Sequence, residues 1–268
     1  MTSLLLATPA GAQQDDLAQK LLETKFEIDL GVFFPDKERA FRVNGSTDIE
    51  SPFVDIDEEL KLKHSEEVFS AQIGWRINDR WRLAAQYFRV SDGNTATLTE
   101  DITWEDIVFE AGSSVSAGTS FKVIRVMLSR DLLSAPHHSF GVGFGVHQME
   151  IKLSVAGEAL IQGGGSEIRS ESVKTKAPMP NIGVWYRRWL SSRWLFSTRL
   201  DWLSASIDPY DGTIINAAIG VNYAFSEHMS AGLHYNYFNL NVGIEDSSWR
   251  GEANVRFNGP FISVKAFW

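Results

Sequence analysis

The chain closes on Ile262-Ser263-Val264-Lys265-Ala266-Phe267-Trp268, where Ile262, Val264, Ala266 and Trp268 occupy every second position and Ser263 and Lys265 lie between them. A period of two sends successive side chains to opposite faces of a β-strand, so this segment carries an apolar face ending in an aromatic. The same period runs through most of the chain. Phe26, Ile28, Leu30 and Val32 form one face of a first strand against Glu27, Asp29 and Gly31. Phe69, Ala71, Ile73, Trp75 and Ile77 oppose Ser70, Gln72, Gly74 and Arg76; beyond a turn at Asn78-Asp79-Arg80, Trp81, Leu83, Ala85 and Tyr87 oppose Arg82, Ala84 and Gln86.

Later strands follow suit. Ile124, Val126 and Leu128 oppose Arg125 and Ser129, and Phe140, Val142, Phe144 and Val146 alternate with Gly141, Gly143, Gly145 and His147. Ile182, Val184 and Tyr186 oppose Gly183, Trp185 and Arg187; Trp194, Phe196, Leu200 and Trp202 oppose Ser197, Arg199 and Asp201. Ile215, Ala217, Ile219, Val221 and Tyr223 face away from Asn216, Ala218, Gly220 and Asn222, and Leu233, Tyr235 and Tyr237 from Gly232, His234 and Asn236. In the last strand the apolar residues are odd-numbered at Val255 and Phe257 but even-numbered from Ile262, which predicts a bulge at Asn258-Gly259-Pro260.

About ten strands result, with eight as the fallback. Connections near Asn78, Ser191 and Ser226 are short, whereas Pro35 to His64, Asp92 to Gly118 and Val155 to Ala177 read as long polar loops on the other side. That asymmetry, an even strand number and alternating faces fit a closed antiparallel up-and-down transmembrane β-barrel. No apolar run reaches the length a membrane helix needs, and a barrel strand needs none, because only half its residues meet lipid. With no Cys among 268 residues, disulfides and thiolate metal sites are excluded, and a net charge of -9 argues against nucleic acid as a partner.

The span from Lys25 to Trp268 resembles the small outer-membrane β-barrels of Gram-negative bacteria, the OmpA, OmpX and OmpW class. The resemblance implies an outer-membrane location, recognition of the terminal strand by the barrel-assembly machinery, and contact with outer-membrane lipids and lipopolysaccharide. Ahead of the barrel, Leu4-Leu5-Leu6-Ala7 and Ala10-Gly11-Ala12 read as the remnant of an export signal over 1–12, with a mature end near Gln13. Residues 13–24 read as a periplasmic segment with a short helix from Asp15 to Glu23, whose Leu17, Leu21 and Leu22 share a face.

Two aromatic girdles are expected: Trp75, Trp81, Trp189, Trp194 and Trp268 near the short turns, and Trp202, Tyr235 and Tyr237, with Tyr87, towards the other ends. The inward face gathers Glu27, Asp29, Arg76, Arg82, Arg125, His147, Arg187, Arg199, Asp201 and His234, a charge network expected to plug the lumen; a narrow arginine-lined channel is the alternative. A third reading is a lipid-modifying enzyme, since His137-His138-Ser139 has a His-x-Ser spacing and His147, His234 and Asp201 could meet inside the barrel. Acidic pairs at Glu100-Asp101 and Glu105-Asp106 resemble those of outer-membrane aspartyl proteases, without a matching His or Asp. No cofactor is implied, although Asp92 to Glu110 and Asp55 to Glu59 could hold Ca²⁺ or Mg²⁺ at the extracellular surface. Gly141-x-Gly-x-Gly145 lacks the following helix of a nucleotide loop, and Asn44-Gly45-Ser46 matches a glycosylation sequon.

Overall fold

The computed structural model describes residues 24–44, 52–59, 67–105, 107–135, 137–160, 166–246 and 249–268. The expected signal remnant and N-terminal helix lie outside them, as do Asp106 and most of the sequon. The strands are β1 (Phe26–Phe33), β2 (Asp36–Val43), β3 (Val54–Asp55), β4 (Val68–Arg76), β5 (Trp81–Thr97), β6 (Ile102–Trp104), β7 (Ile107–Phe109), β8 (Ser114–Ala135), β9 (His138–Leu160), β10 (Ser166–Trp189), β11 (Trp194–Ile207), β12 (Tyr210–Ala224), β13 (Met229–Asp246) and β14 (Trp249–Phe267), with one short helix, α1 (Ile56–Glu59).

β1 and β2 are two halves of one stave, interrupted at Phe34-Pro35; both pair with β14, in unbroken register from Glu27↔Phe267 to Val43↔Gly251. Neighbouring staves pair antiparallel in chain order, β1-β4-β5-β8-β9-β10-β11-β12-β13-β14, and the β1–β14 pairing closes the ring. Ten staves therefore form the wall, and the C-terminal strand is the one that seals it. Closure leaves no free sheet edge around the half of the barrel nearest the termini, which is what allows strands to stand in hydrocarbon.

A belt of outward apolar side chains surrounds the half nearest the termini. It includes Phe69, Ile73, Phe144, Ile182, Ile219, Leu233 and Ile262, all among the most exposed large apolar residues. The belt ends at one level on every stave: Phe34 gives way to Asp36, Tyr87 to Arg89, Ile124 to Lys122, Val146 to Gln148 and Tyr237 to Asn239. At that same level the inner face changes the other way. Below it the inward residues are polar, as with Gln86, Arg125, His147 and Asn216; above it they are Phe88, Val123, Met149 and Ile214, in unbroken alternation.

Above the belt the barrel is thus built like a soluble protein, polar outside and apolar inside. Val90, Ile151, Leu240, Ile244 and Phe257 are fully buried there. Four rings, Phe88, Phe121, Phe238 and Phe257, meet across the interior with centroids 5.4 to 6.1 Å apart, the range of favourable edge and offset contacts. The β6–β7 hairpin covers the far end by burying Ile102, Trp104 and Phe109.

Two expectations are corrected. The segments read as long loops are largely strand: β2, the upper parts of β5 and β8, and the upper part of the β9–β10 hairpin, paired from Ala177↔Met149 to Ser166↔Leu160, rise beyond the belt. Their polar outward residues suggested loops because water, not lipid, lies outside them. Nor is there a bulge at Asn258-Gly259-Pro260, where pairing with β13 continues through Asn236↔Gly259. The apparent change of phase is the polarity inversion itself: Phe257 points in as core, Ile262 points out to lipid. Gly259 is needed for a different reason, because a Cβ there would lie 2.2 Å from the Phe34 carbonyl oxygen. The register shift among the described strands falls on β8, between Asp131 and Leu133. Pro178, Pro180 and Pro260 all sit at the inversion level, facing Gln148, Val146 and Tyr235, and Pro35 lies there in the β1–β2 break.

Candidate functional site

Within the belt, the inward faces of the staves enclose a polar cavity of about 180 Å³. Its centre is Asp201 on β11. Arg125 on β8 donates from Nε and Nη2 to the two carboxylate oxygens at 2.6 and 3.0 Å, and Arg199 donates from Nη1 at 3.1 Å. Arg199 reaches on to the Gln86 amide oxygen at 3.3 Å. The carboxylate has room because Gly183 faces it; a Cβ there would come within 2.4 Å of Asp201 Oδ1. Two-pronged guanidinium contact is the strong form of such a pair, and breaking it leaves a buried charge.

Lys265 lies between Glu27 and Asp29, at 3.6 and 3.5 Å. His147 and His234 do not meet Asp201 in a hydrogen-bonded triad: His147 Nε2 contacts the Asn216 amide at 3.0 Å, and His234 Nε2 the Asn222 side-chain oxygen at 3.3 Å. Arg187 stacks over Trp185 at 5.1 Å from the ring centroid, while Arg82 lines the cavity without a side-chain ion pair among the described residues. Arg76 is displaced from the expected network to the rim, bonding the Asn78 carbonyl and pairing with Asp79 at 3.8 Å.

Most girdle residues point outward: Trp75, Trp194, Trp202, Tyr235 and Trp268 are exposed, and Trp81 lies beneath the Arg130 guanidinium, 5.6 Å away. Trp189 does not belong to the girdle. It falls on the inward parity with Arg187 and is buried in the cavity wall. Ser139 of the His-x-Ser segment is buried beside the short β8–β9 turn.

A second charged cluster lies above the belt and was hidden in the sequence because it falls within the stretch read as loop. β4 begins only at Val68, so among the described residues β2 has no long neighbour on that side above this level, where it pairs with the two residues of β3. Side chains bridge the seam. Arg39 donates from Nε to both Asp57 oxygens at 2.9 and 3.2 Å, from Nη2 to Asp92 at 3.2 Å and from Nη1 to Thr119 at 2.8 Å; Lys37 adds a pair to Asp92 at 3.6 Å. Helix α1 presents Asp57, and Asp55 caps it by accepting from the Asp57 and Glu58 amides. Burial pushes the Asp57 carboxyl above its ordinary value, against the pull of Arg39. Asp57 and Asp92 are therefore engaged by cations, and among the described residues no group of three or more His, Asp or Glu has a metal-binding arrangement.

No family model matches the chain, and no curated protein sequence matches it. Among solved structures, the outer membrane protease OmpT from Escherichia coli superposes with a TM-score of 0.62 at 11% identity, over 91% of this chain and 97% of OmpT. The translocator domain of the autotransporter NalP from Neisseria meningitidis gives 0.42 at 10% identity, covering 96% of each chain, and the toluene transporter TodX from Pseudomonas putida gives 0.39 at 8%, covering 97% of this chain and 94% of TodX. The last two superpose too loosely to carry an argument. The fold is that of a small outer-membrane β-barrel.

Proposed function

We propose that this chain is a non-conducting barrel of the Gram-negative outer membrane, whose water-surrounded upper half serves as a rigid platform for contacts at the cell surface. The observation that carries this reading is the apolar layer formed by Phe88, Phe121, Phe238 and Phe257. Close-packed apolar side chains exclude water and ions from that level of the barrel. A conducting lumen would need a polar path through it. The polar cavity ends beneath the layer, with Phe261 and Asn236 among its walls, so the charged network stiffens the wall and does not line a through-path.

The test is conductance of the refolded barrel in a planar bilayer. The wild-type protein should give no discrete steps, and joint replacement of Phe121 and Phe257 by Ala should admit a leak. Regular single-channel steps from the wild type would refute the reading and restore the channel.

A further inference from the structure

Immediately above the apolar belt, the outer wall of β5, β8, β9 and β10 carries Arg89, Lys122, Lys152, Lys174 and Lys176 around a single carboxylate, Glu150. Strand register makes them neighbours: Arg89↔Lys122, Lys122↔Glu150, Lys174↔Lys152 and Lys176↔Glu150. Glu150 accepts from Lys174 at 3.3 Å and pairs with Lys176 at 3.9 Å, and this one carboxylate leaves an excess of four positive charges among the five cations. The two paired lysines are more than half exposed. On the neighbouring staves the same level carries Asp36, Glu38 and Glu67, with Arg256 paired to Glu38. In a chain of net charge -9 such a concentration of one sign is a local feature.

We infer that this patch binds the phosphates of a phosphorylated glycolipid in the outer leaflet. Placement argues for a lipid over a free anion. Directly beneath the patch on the same staves, Ile124, Val126, Phe144, Ile182 and Val184 are exposed apolar residues. A ligand that joins phosphates to acyl chains meets both surfaces at once, with its phosphates at the height of the ammonium groups and its chains along the belt. Lysine clusters attract anionic headgroups only within about a Debye length, so their position at the belt's edge is the one that is effective. Unliganded, five cations repel one another. This inference rests on the outer-membrane reading above.

The experiment is native mass spectrometry of the detergent-solubilised barrel with three probes: bis-phosphorylated lipid A, the same lipid stripped of phosphate, and inorganic phosphate. The bis-phosphorylated lipid should form a stoichiometric adduct, and the other two should bind at least tenfold more weakly. Replacing Lys152 and Lys174 together by Gln should lower the lipid adduct about tenfold or more, since charge-assisted contacts contribute that much. Arg256→Gln, which removes a cation from the outer wall of β14, should leave it unchanged. Equal adducts with and without phosphate, or equal losses from the two variants, would overturn the inference, and binding of inorganic phosphate alone would reduce the patch to a plain anion site. Heat-modifiable gel mobility of each variant separates this failure from failure of the membrane reading, because a barrel that does not belong in lipid would lose that behaviour in the wild type as well.

Discussion

The two halves of each long strand obey opposite rules. Near the termini, β13 shows Leu233 and Tyr235 to lipid and His234 and Asn236 to the lumen; a few residues on, it shows Asn239 and Asn241 to water and buries Phe238, Leu240, Val242 and Ile244. The backbone does not change, since pairing with β14 continues without a shift from Met229↔Ala266 to Asp246↔Trp249. What changes is the solvent. One strand is stabilised below by matching an apolar outside to hydrocarbon, and above by burying an apolar inside from water.

That contrast can be broken most severely at the polar centre of the lower half. Arg125→Ala removes both guanidinium contacts to Asp201 and should lower stability by about 3 to 5 kcal/mol, measured by urea unfolding in lipid vesicles. A loss under about 1 kcal/mol would mean that water reaches the network freely. Next in size is a pair of arginines on one face of one strand. Leu233→Arg, in the middle of the belt, should cost about 2 to 4 kcal/mol, whereas Asn241→Arg, above it, should cost nearly nothing. Equal costs would erase the boundary between the halves.

A smaller effect tests the upper core. Ile214→Val removes one methylene from a fully buried site and should cost about 1 kcal/mol in the same assay. The smallest concerns the exposed Lys174–Glu150 pair, where Lys174→Ala should change stability by less than about 1 kcal/mol and less still in high salt. Burial works slightly against ionisation of Glu150, but the bond from Lys174 and the charges of Lys174, Lys122 and Lys176 hold its carboxyl below the ordinary 4.5. Its contribution is therefore complete above about pH 4.5 and fades as pH falls through the lowered value. A pair whose weight grew on acidification would have the opposite sign.

The strands and their faces in the belt were legible in the sequence because lipid imposes one rule on the outward residue. Phe144, Ile219, Val221 and Leu233 point out, and Gly143, Arg199, Gly220 and Asp201 point in, as the alternation predicts. Above the belt the alternation persists with its meaning reversed, so the apolar parity alone suggests a phase error at Pro260 and loops at Arg39 or Lys174. The Arg39 cluster was lost with those loops. Asp201 and Arg125 were both legible as inward charges, yet their pairing was not, because three-dimensional closure brings β8 opposite β11 across the lumen. Trp189 misled for a simpler reason: an aromatic near a turn suggests an interface, but parity decides the face.

The prolines give the inversion a further consequence. Four of the chain's eight, Pro35, Pro178, Pro180 and Pro260, stand at the level where both faces change. Each lacks a backbone donor, and Pro178 and Pro180 lie beyond Ile182↔Trp202, where the pairing of β10 with β11 stops. A carbonyl left without its partner is tolerable where water can reach it and costly in hydrocarbon. The inversion level consequently acts as a waterline: if the barrel sank by one pair of residues, the β10 edge that has no β11 partner beyond Ile182 would enter the acyl chains, and if it rose, the apolar belt would meet water. Immersion depth is written into the backbone as well as into the side chains, and a proline introduced two residues lower, at Ile262, would draw the line where the membrane does not permit it.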